Sequence, residues 1–146
     1  MHIIIAGGGT VGEQVARASQ ESGSTAVVIE ADAGRAADLA ARGVQVVPGN
    51  ACAARTLEEA GALRADVLVA CTGLDEDNLV ISLLARRHLE IPRVVALVND
   101  DASRWLFGEP WGVDAAISAA SALVALIGEA APAGAGRRAD LAGPGA

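Results

Sequence analysis

The most specific chemistry in this sequence lies near its amino terminus. Gly7, Gly9 and Gly12 stand in the spacing G-x-G-x-x-G within the string GGGTVG, whose other members are Gly8, Thr10 and Val11. A short apolar run, residues 3–6, precedes the string, and a helix-patterned segment, residues 11–21, follows it. In that context the three glycines play different parts. Gly7 permits a tight strand-to-helix turn, Gly9 lets a pyrophosphate approach the backbone, and Gly12 allows the helix to pack closely on the strand. The free N–H groups at the start of the helix then face the anion. Glu30 ends a second apolar run, 18 residues beyond Gly12. There its carboxylate can accept hydrogen bonds from both hydroxyls of an adenosine ribose. A carboxylate at that point also repels a 2′-phosphate, so the pattern favours NAD(H) over NADP(H) and equally admits ATP, ADP and AMP. Asp32 either shares the ribose or caps the next helix, and spacing leaves both open. Asn50 and Ala51, after Gly49, and Thr72 with Gly73 fall at later strand ends and point to the same crevice. Asn50 is placed to meet an adenine edge and Thr72 with Gly73 the opposite wall, although both clusters also suit ordinary turns and caps.

Such residues need strand ends to hold them. Short branched runs at residues 3–6, 26–30, 44–47, 67–71, 94–98 and 113–117 alternate with helix-patterned segments at 11–21, 33–42, 55–60, 75–89, 102–107 and 118–130. The alternation predicts an α/β fold: a Rossmann-type, doubly wound, six-stranded parallel sheet with helices on both faces, in the order 3-2-1-4-5-6. In an open sheet of this kind, ligands bind at the carboxyl ends of the strands. One domain is expected over residues 1–130, followed by a flexible Ala/Gly/Pro-rich tail over 131–146. Asp75, Glu76 and Asp77 read as solvated charges in the first turn of a helix, where its dipole favours them.

Composition removes several alternatives. All 11 basic residues are Arg, and the chain of 146 residues has neither Lys nor Tyr. A Tyr–Lys dehydrogenase pair, a Schiff base or a P-loop lysine therefore cannot be assembled from it. His2 and His88 sit away from the strand ends that make the crevice, and with Cys52 and Cys71 they form no metal-ligand spacing. No catalytic group and no metal site are assigned. An NAD-dependent oxidoreductase, or its cofactor-binding subunit, remains the alternative function, with catalytic groups supplied from elsewhere. The net charge of −7 repels phosphate backbones and anionic headgroups, so no nucleic acid partner is expected. The longest apolar stretch, 115–127, falls short of the roughly 20 residues that cross a bilayer, and no direct membrane insertion is expected. Two isolated cysteines and no signal-like start suggest a reduced, cytoplasmic setting. Trp105, Leu106, Phe107 and Trp111 cluster in a chain almost free of aromatics, which suits either an interface or a capped sheet edge.

The ordered strings MHIIIAGGGTVG, VVIEAD, VVPGNA, LEEAGALRADVLVACTGLDEDNLVISLLAR, PRVVALVND and GVDAAIS resemble the TrkA-N, or RCK N-terminal, domain over about residues 1–130. ACTGLDEDN and VND carry most of the specificity. The resemblance implies a regulatory subunit that binds NAD(H) or adenine nucleotides, assembles as a homodimer or larger ring, and acts on an integral membrane potassium transporter or channel. It would lie in the cytoplasm, held at the membrane through that partner. Gly7, Gly9, Thr10, Val11, Gly12, Glu30, Asn50, Ala51, Thr72 and Gly73 match the family's ligand-contacting positions. Thr10 and Leu97 stand where the family commonly carries Arg, and Asn50 where Asp is usual. Nothing after Ile127 resembles the second, smaller domain often attached to this one, so the chain reads as a stand-alone module or a fragment.

Overall fold

The structure is a computed structural model that describes residues 1–129. Its centre is β1 (His2–Ala6), where period-two alternation sends apolar side chains to both faces. Ile3 and Ile5 pack with Ala16 and Leu39 on one side; Ile4 and Ala6 pack with Leu57 and Ile81 on the other. A strand covered on both faces needs an unbroken apolar run, and β2 (Thr25–Glu30) and β4 (Val67–Ala70) supply the same pattern beside it. With β3 (Val46–Pro48), β5 (Arg93–Val98) and β6 (Ala115–Ser118) they form one six-stranded sheet in the order β3-β2-β1-β4-β5-β6. Every neighbouring pair is parallel, as the alternation of runs predicts. Helices α1 (Thr10–Glu21) and α2 (Ala33–Ala41) supply Ala16 and Leu39 to one face. Helices α3 (Ala54–Glu59) and α4 (Asp75–Leu83) supply Leu57 and Ile81 to the other.

Four elements differ from the sequence pattern, and one of them is β3, which begins at Val46 rather than 44. The segment expected as a helix at 102–107 is a 3-10 stretch, Asp101–Leu106, with no buried residue to hold it in a regular helix. The helix expected at 75–89 is α4 continued by a π-helical turn, Leu84–His88. The last strand begins at Ala115 rather than 113, because the Asp114 carboxylate takes the Val94 N–H at 2.7 Å and ion-pairs with Arg86, while Val113 turns into the core. Helix α5 (Ala119–Glu129) leaves β6 with Leu123, Leu126 and Ile127 exposed, and Ile117 is exposed beside it. Among the described residues no helix is long and apolar enough to cross a membrane. The expected tail lies outside the described residues.

Candidate functional site

The glycine string forms the turn from β1 into α1. Gly7 has φ +114°, and a Cβ there would stand 2.8 Å from the Cys71 carbonyl oxygen, so both conformation and space exclude a side chain. Gly12 is buried in the first turn of α1, where a Cβ would fall 1.8 Å from the Gly7 oxygen. Close seating of α1 on the turn therefore depends on it. Gly9 contrasts with both: a Cβ at this position would meet no protein atom within 4 Å. The fold does not need glycine there, and the open space is what an incoming ligand would use. Gly9 is also the N-cap of α1 and no side chain caps that end, which leaves the helix start with its N–H groups available to an anion.

Glu30, at the end of β2, is only 6% exposed. Its Oε1 accepts the Gly8 N–H at 3.0 Å and its Oε2 the Asp32 N–H at 2.7 Å, so the carboxylate is fixed between the glycine turn and the start of α2. Asp32 takes the second of its two expected roles: it is the N-cap of α2, accepting the Arg35 N–H at 2.9 Å. Arg35 is a site residue that the sequence pattern does not reveal. One turn into α2, its Nη1 donates to Glu30 Oε1 at 3.2 Å.

These groups open onto a crevice of about 400 Å³ at the carboxyl ends of the strands. Gly7, Gly8, Gly9, Thr10 and Val11 form one wall and Glu30 one end; Asn50, Ala51, Thr72 and Gly73 lie on the remaining walls. Gly12 lies beneath the turn and Asp32 outside the crevice; neither lines it. Asn50 uses its side chain locally, Oδ1 accepting the Cys52 N–H at 2.9 Å. Leu97, from β5, lies on the floor.

The walls around Thr72 are held by two residues of α4. Asn78 is fully buried; its Oδ1 accepts the Thr72 N–H at 2.9 Å and the Thr72 hydroxyl at 2.7 Å. Its Nδ2 donates to the Thr72 carbonyl at 3.1 Å and the Leu97 carbonyl at 3.0 Å. Asp75 departs from the sequence reading: it is buried, not solvated, and accepts the N–H groups of Asn99 and Asp100 at 2.7 and 2.8 Å. Burial works against its charge, but those backbone donors outweigh it and hold its pKa below the ordinary carboxylate value. Glu76 is exposed. The signal for Asn78 is its register: it lies three residues before Ile81 and seven before Ala85, both core residues, so a polar side chain occupies the apolar stripe of α4.

Both cysteines touch the crevice as well. Burial raises the Cys71 thiol to about 11, and burial followed by the charge of Asp77 raises Cys52, so neither is primed as a thiolate. The histidines lie elsewhere: His2 Nε2 is 3.3 Å from the Ala60 carbonyl at the amino end of β1, and His88 ends the turn after α4. Among the described residues no cluster of His, Cys, Asp and Glu is suited to hold a metal ion. Chemically the arrangement can receive a phosphate-bearing ribose: available N–H groups beside a glycine turn, with a buried carboxylate next to them.

Comparison with known proteins agrees with this fold. The Trk system potassium uptake protein TrkA of Mycobacterium tuberculosis is 41% identical over 130 residues, a match covering 89% of this chain and 59% of that protein. The chain thus spans about three fifths of the length of this curated relative. Among solved structures, the Shewanella denitrificans Kef CTD in its AMP-bound form superimposes with TM-score 0.72 at 27% identity, covering 89% of this chain and 79% of that one. The GsuK RCK domain gives TM-score 0.70 at 28% identity over 83% of this chain and 26% of that one. Residues 3–119 match the TrkA-N domain family, and the chain belongs to it.

Proposed function

We propose that this chain is a nucleotide-sensing module that binds NAD(H), or ATP, ADP or AMP, and regulates a membrane potassium transporter or channel without transforming its ligand. The observation that carries this reading is the crevice: it joins the glycine turn to the Glu30 carboxylate, yet neither histidine lines it and the chain has no Lys or Tyr to perform chemistry on a bound cofactor. The AMP-bound relative and the TrkA relative support the ligand class and the role. Residues 1–130 would make up the module. It would act in the cytoplasm, reaching the membrane through its transport partner, as a homodimer or larger ring.

Regulation requires that occupancy bias two arrangements of the assembly. A route out of the crevice is present. Asn99, on the crevice wall, donates to the Thr72 carbonyl at 2.9 Å. Two residues further on, Asp101 Oδ1 accepts the hydroxyls of Ser118 and Ser121 at 2.9 and 2.6 Å, at the start of α5. A ligand that presses on Thr72 and Asn99 therefore acts one short loop away from the exposed helix. The test is to delete the gene in its native host and measure potassium uptake at limiting external potassium, then restore either the wild-type or a Gly12→Asp copy. Wild-type rescue without rescue by Gly12→Asp is expected. Unchanged uptake in every strain would overturn the transport role, and calorimetric binding of NAD(H) or AMP by a folded Gly12→Asp protein would overturn the glycine turn as the phosphate site.

A further inference from the structure

Arg35 is the one guanidinium among the described residues lining the crevice, and it sits at the ribose end rather than the pyrophosphate end. It also lines a second depression of about 480 Å³ between α1 and α2, which shares Gly8, Gly9 and Thr10 as walls. The other cations of that depression are committed: Arg17 and Arg42 both bind Glu13, at 3.0 and 2.8 Å. Among the described residues the Arg35 guanidinium is held by Glu30 alone, and its side chain is 54% exposed, so it can change partner.

Glu30 explains why it must. A carboxylate offers about four acceptor directions. Three are used here, by the N–H groups of Gly8 and Asp32 and by Arg35 Nη1. A ribose diol asks for two; a ribose phosphorylated on its 2′ oxygen asks for one and brings Arg35 a second anion. The backbone donors are fixed by the turn and by the helix start, so Arg35 is the group that gives way. With a 2′-hydroxyl ligand the displaced guanidinium gains no new anion. With a 2′-phosphate its planar fork gains an anion that can accept two N–H groups at once, and the depression that Arg35 shares with the crevice offers the substituent room.

We propose that Arg35 sets the crevice's tolerance of a 2′-phosphate: it leaves Glu30 as the adenosine ribose enters and pairs with the 2′-phosphate of NADP(H), so that the chain accepts NADP(H) beside NAD(H). This rests on the nucleotide-binding reading and revises the expectation that Glu30 alone turns NADP(H) away.

The experiment is calorimetry on the 146-residue chain, comparing NAD with NADP for the wild type, Arg35→Ala and Arg35→Lys. Arg35→Ala is expected to weaken NADP and to leave NAD unchanged or tighter, raising the ratio of their dissociation constants by about fivefold or more, in line with loss of one charge-assisted bidentate contact. Arg35→Lys keeps the charge without the planar fork and is expected to raise the ratio by a smaller factor; it replaces the alanine variant if that one melts early. A ratio that changes by less, or equal weakening of both ligands, overturns the proposal by assigning Arg35 a structural role only. Wild-type binding of NAD with none of NADP also overturns it and leaves the nucleotide reading intact. Failure of the wild type to bind either ligand overturns the nucleotide reading itself.

Discussion

Replacing Asn78 with alanine removes the group that ties the β4–α4 loop to the body of the sheet. The side chain makes four hydrogen bonds, three with Thr72 and one with the Leu97 carbonyl, from a fully buried position. A typical intramolecular hydrogen bond nets about 1 kcal/mol, and leaving a buried partner unsatisfied costs about 1–3 kcal/mol. Thr72 is only partly buried, so water recovers some of its share, and the expected loss is about 3 kcal/mol, set against total stabilities of roughly 5–15 kcal/mol. For a domain of this size that corresponds to a fall in Tm of roughly 10 °C. Urea titration with an unchanged m-value measures it. Asn78→Asp keeps the acceptor for the Thr72 N–H and hydroxyl but sets a carboxylate against two carbonyl oxygens, so it is expected to cost at least as much as alanine. Nucleotide affinity should fall in both variants at temperatures where they remain folded, because Thr72 is then no longer held against the crevice. A loss below about 1 kcal/mol for Asn78→Ala, with unaltered affinity, would refute the view that this side chain organises the wall.

Gly12→Ala places a Cβ on the Gly7 carbonyl oxygen and must push α1 away from the turn, so a destabilisation of about 1–3 kcal/mol is expected by thermal melting, with the larger loss in nucleotide binding. Asp75→Asn tests the second anchor. The folded pKa of Asp75 is depressed, so its contribution is present above the unfolded value of about 3.9 and is lost as pH falls through the folded value. The stability gap between wild type and Asp75→Asn is therefore expected to be widest near neutrality and to close in acid; a gap that does not vary with pH removes the charged hydrogen bonds from the account. Light scattering is expected to show at least a homodimer, given Leu123, Leu126, Ile127 and Ile117 exposed together. A strict monomer at high concentration, with and without nucleotide, would contradict it.

The sheet order is legible in the sequence because each strand buried on both faces is an unbroken apolar run, and Gly7 and Gly12 are legible because backbone geometry permits no other residue there. The anchors are less visible. Asp75 opens a helix beside Glu76 and Asp77, and nothing local distinguishes the acid that turns inward; its partners Asn99 and Asp100 come from the end of a strand more than twenty residues away. Arg35 escapes notice for a related reason. Its backbone N–H and its guanidinium bind different carboxylates, Asp32 and Glu30, and only the first turn of α2 brings both within reach. The 3-10 stretch Asp101–Leu106 reads as a helix because its apolar residues have helical spacing, although that spacing carries information only where a core exists to receive them.

The placement of charge indicates where ligand affinity would reside under the proposed function. Thr10 and Leu97 stand where the family resemblance leads one to expect guanidinium groups near the phosphates, and both residues line the crevice. The pyrophosphate end is thus left with backbone N–H groups around Gly9, which give directional contacts without net positive charge. At the other end Glu30, Arg35 and the Asp32 N–H form a charged cluster around the ribose position. An N–H array at one helix start contacts one phosphate at a time, whereas a ribose placed beside the Glu30 carboxylate and the Arg35 guanidinium would be read group by group. Under the proposed function, selectivity in this crevice would therefore belong to the sugar and what is esterified to it, with the length of the phosphate chain a weaker determinant.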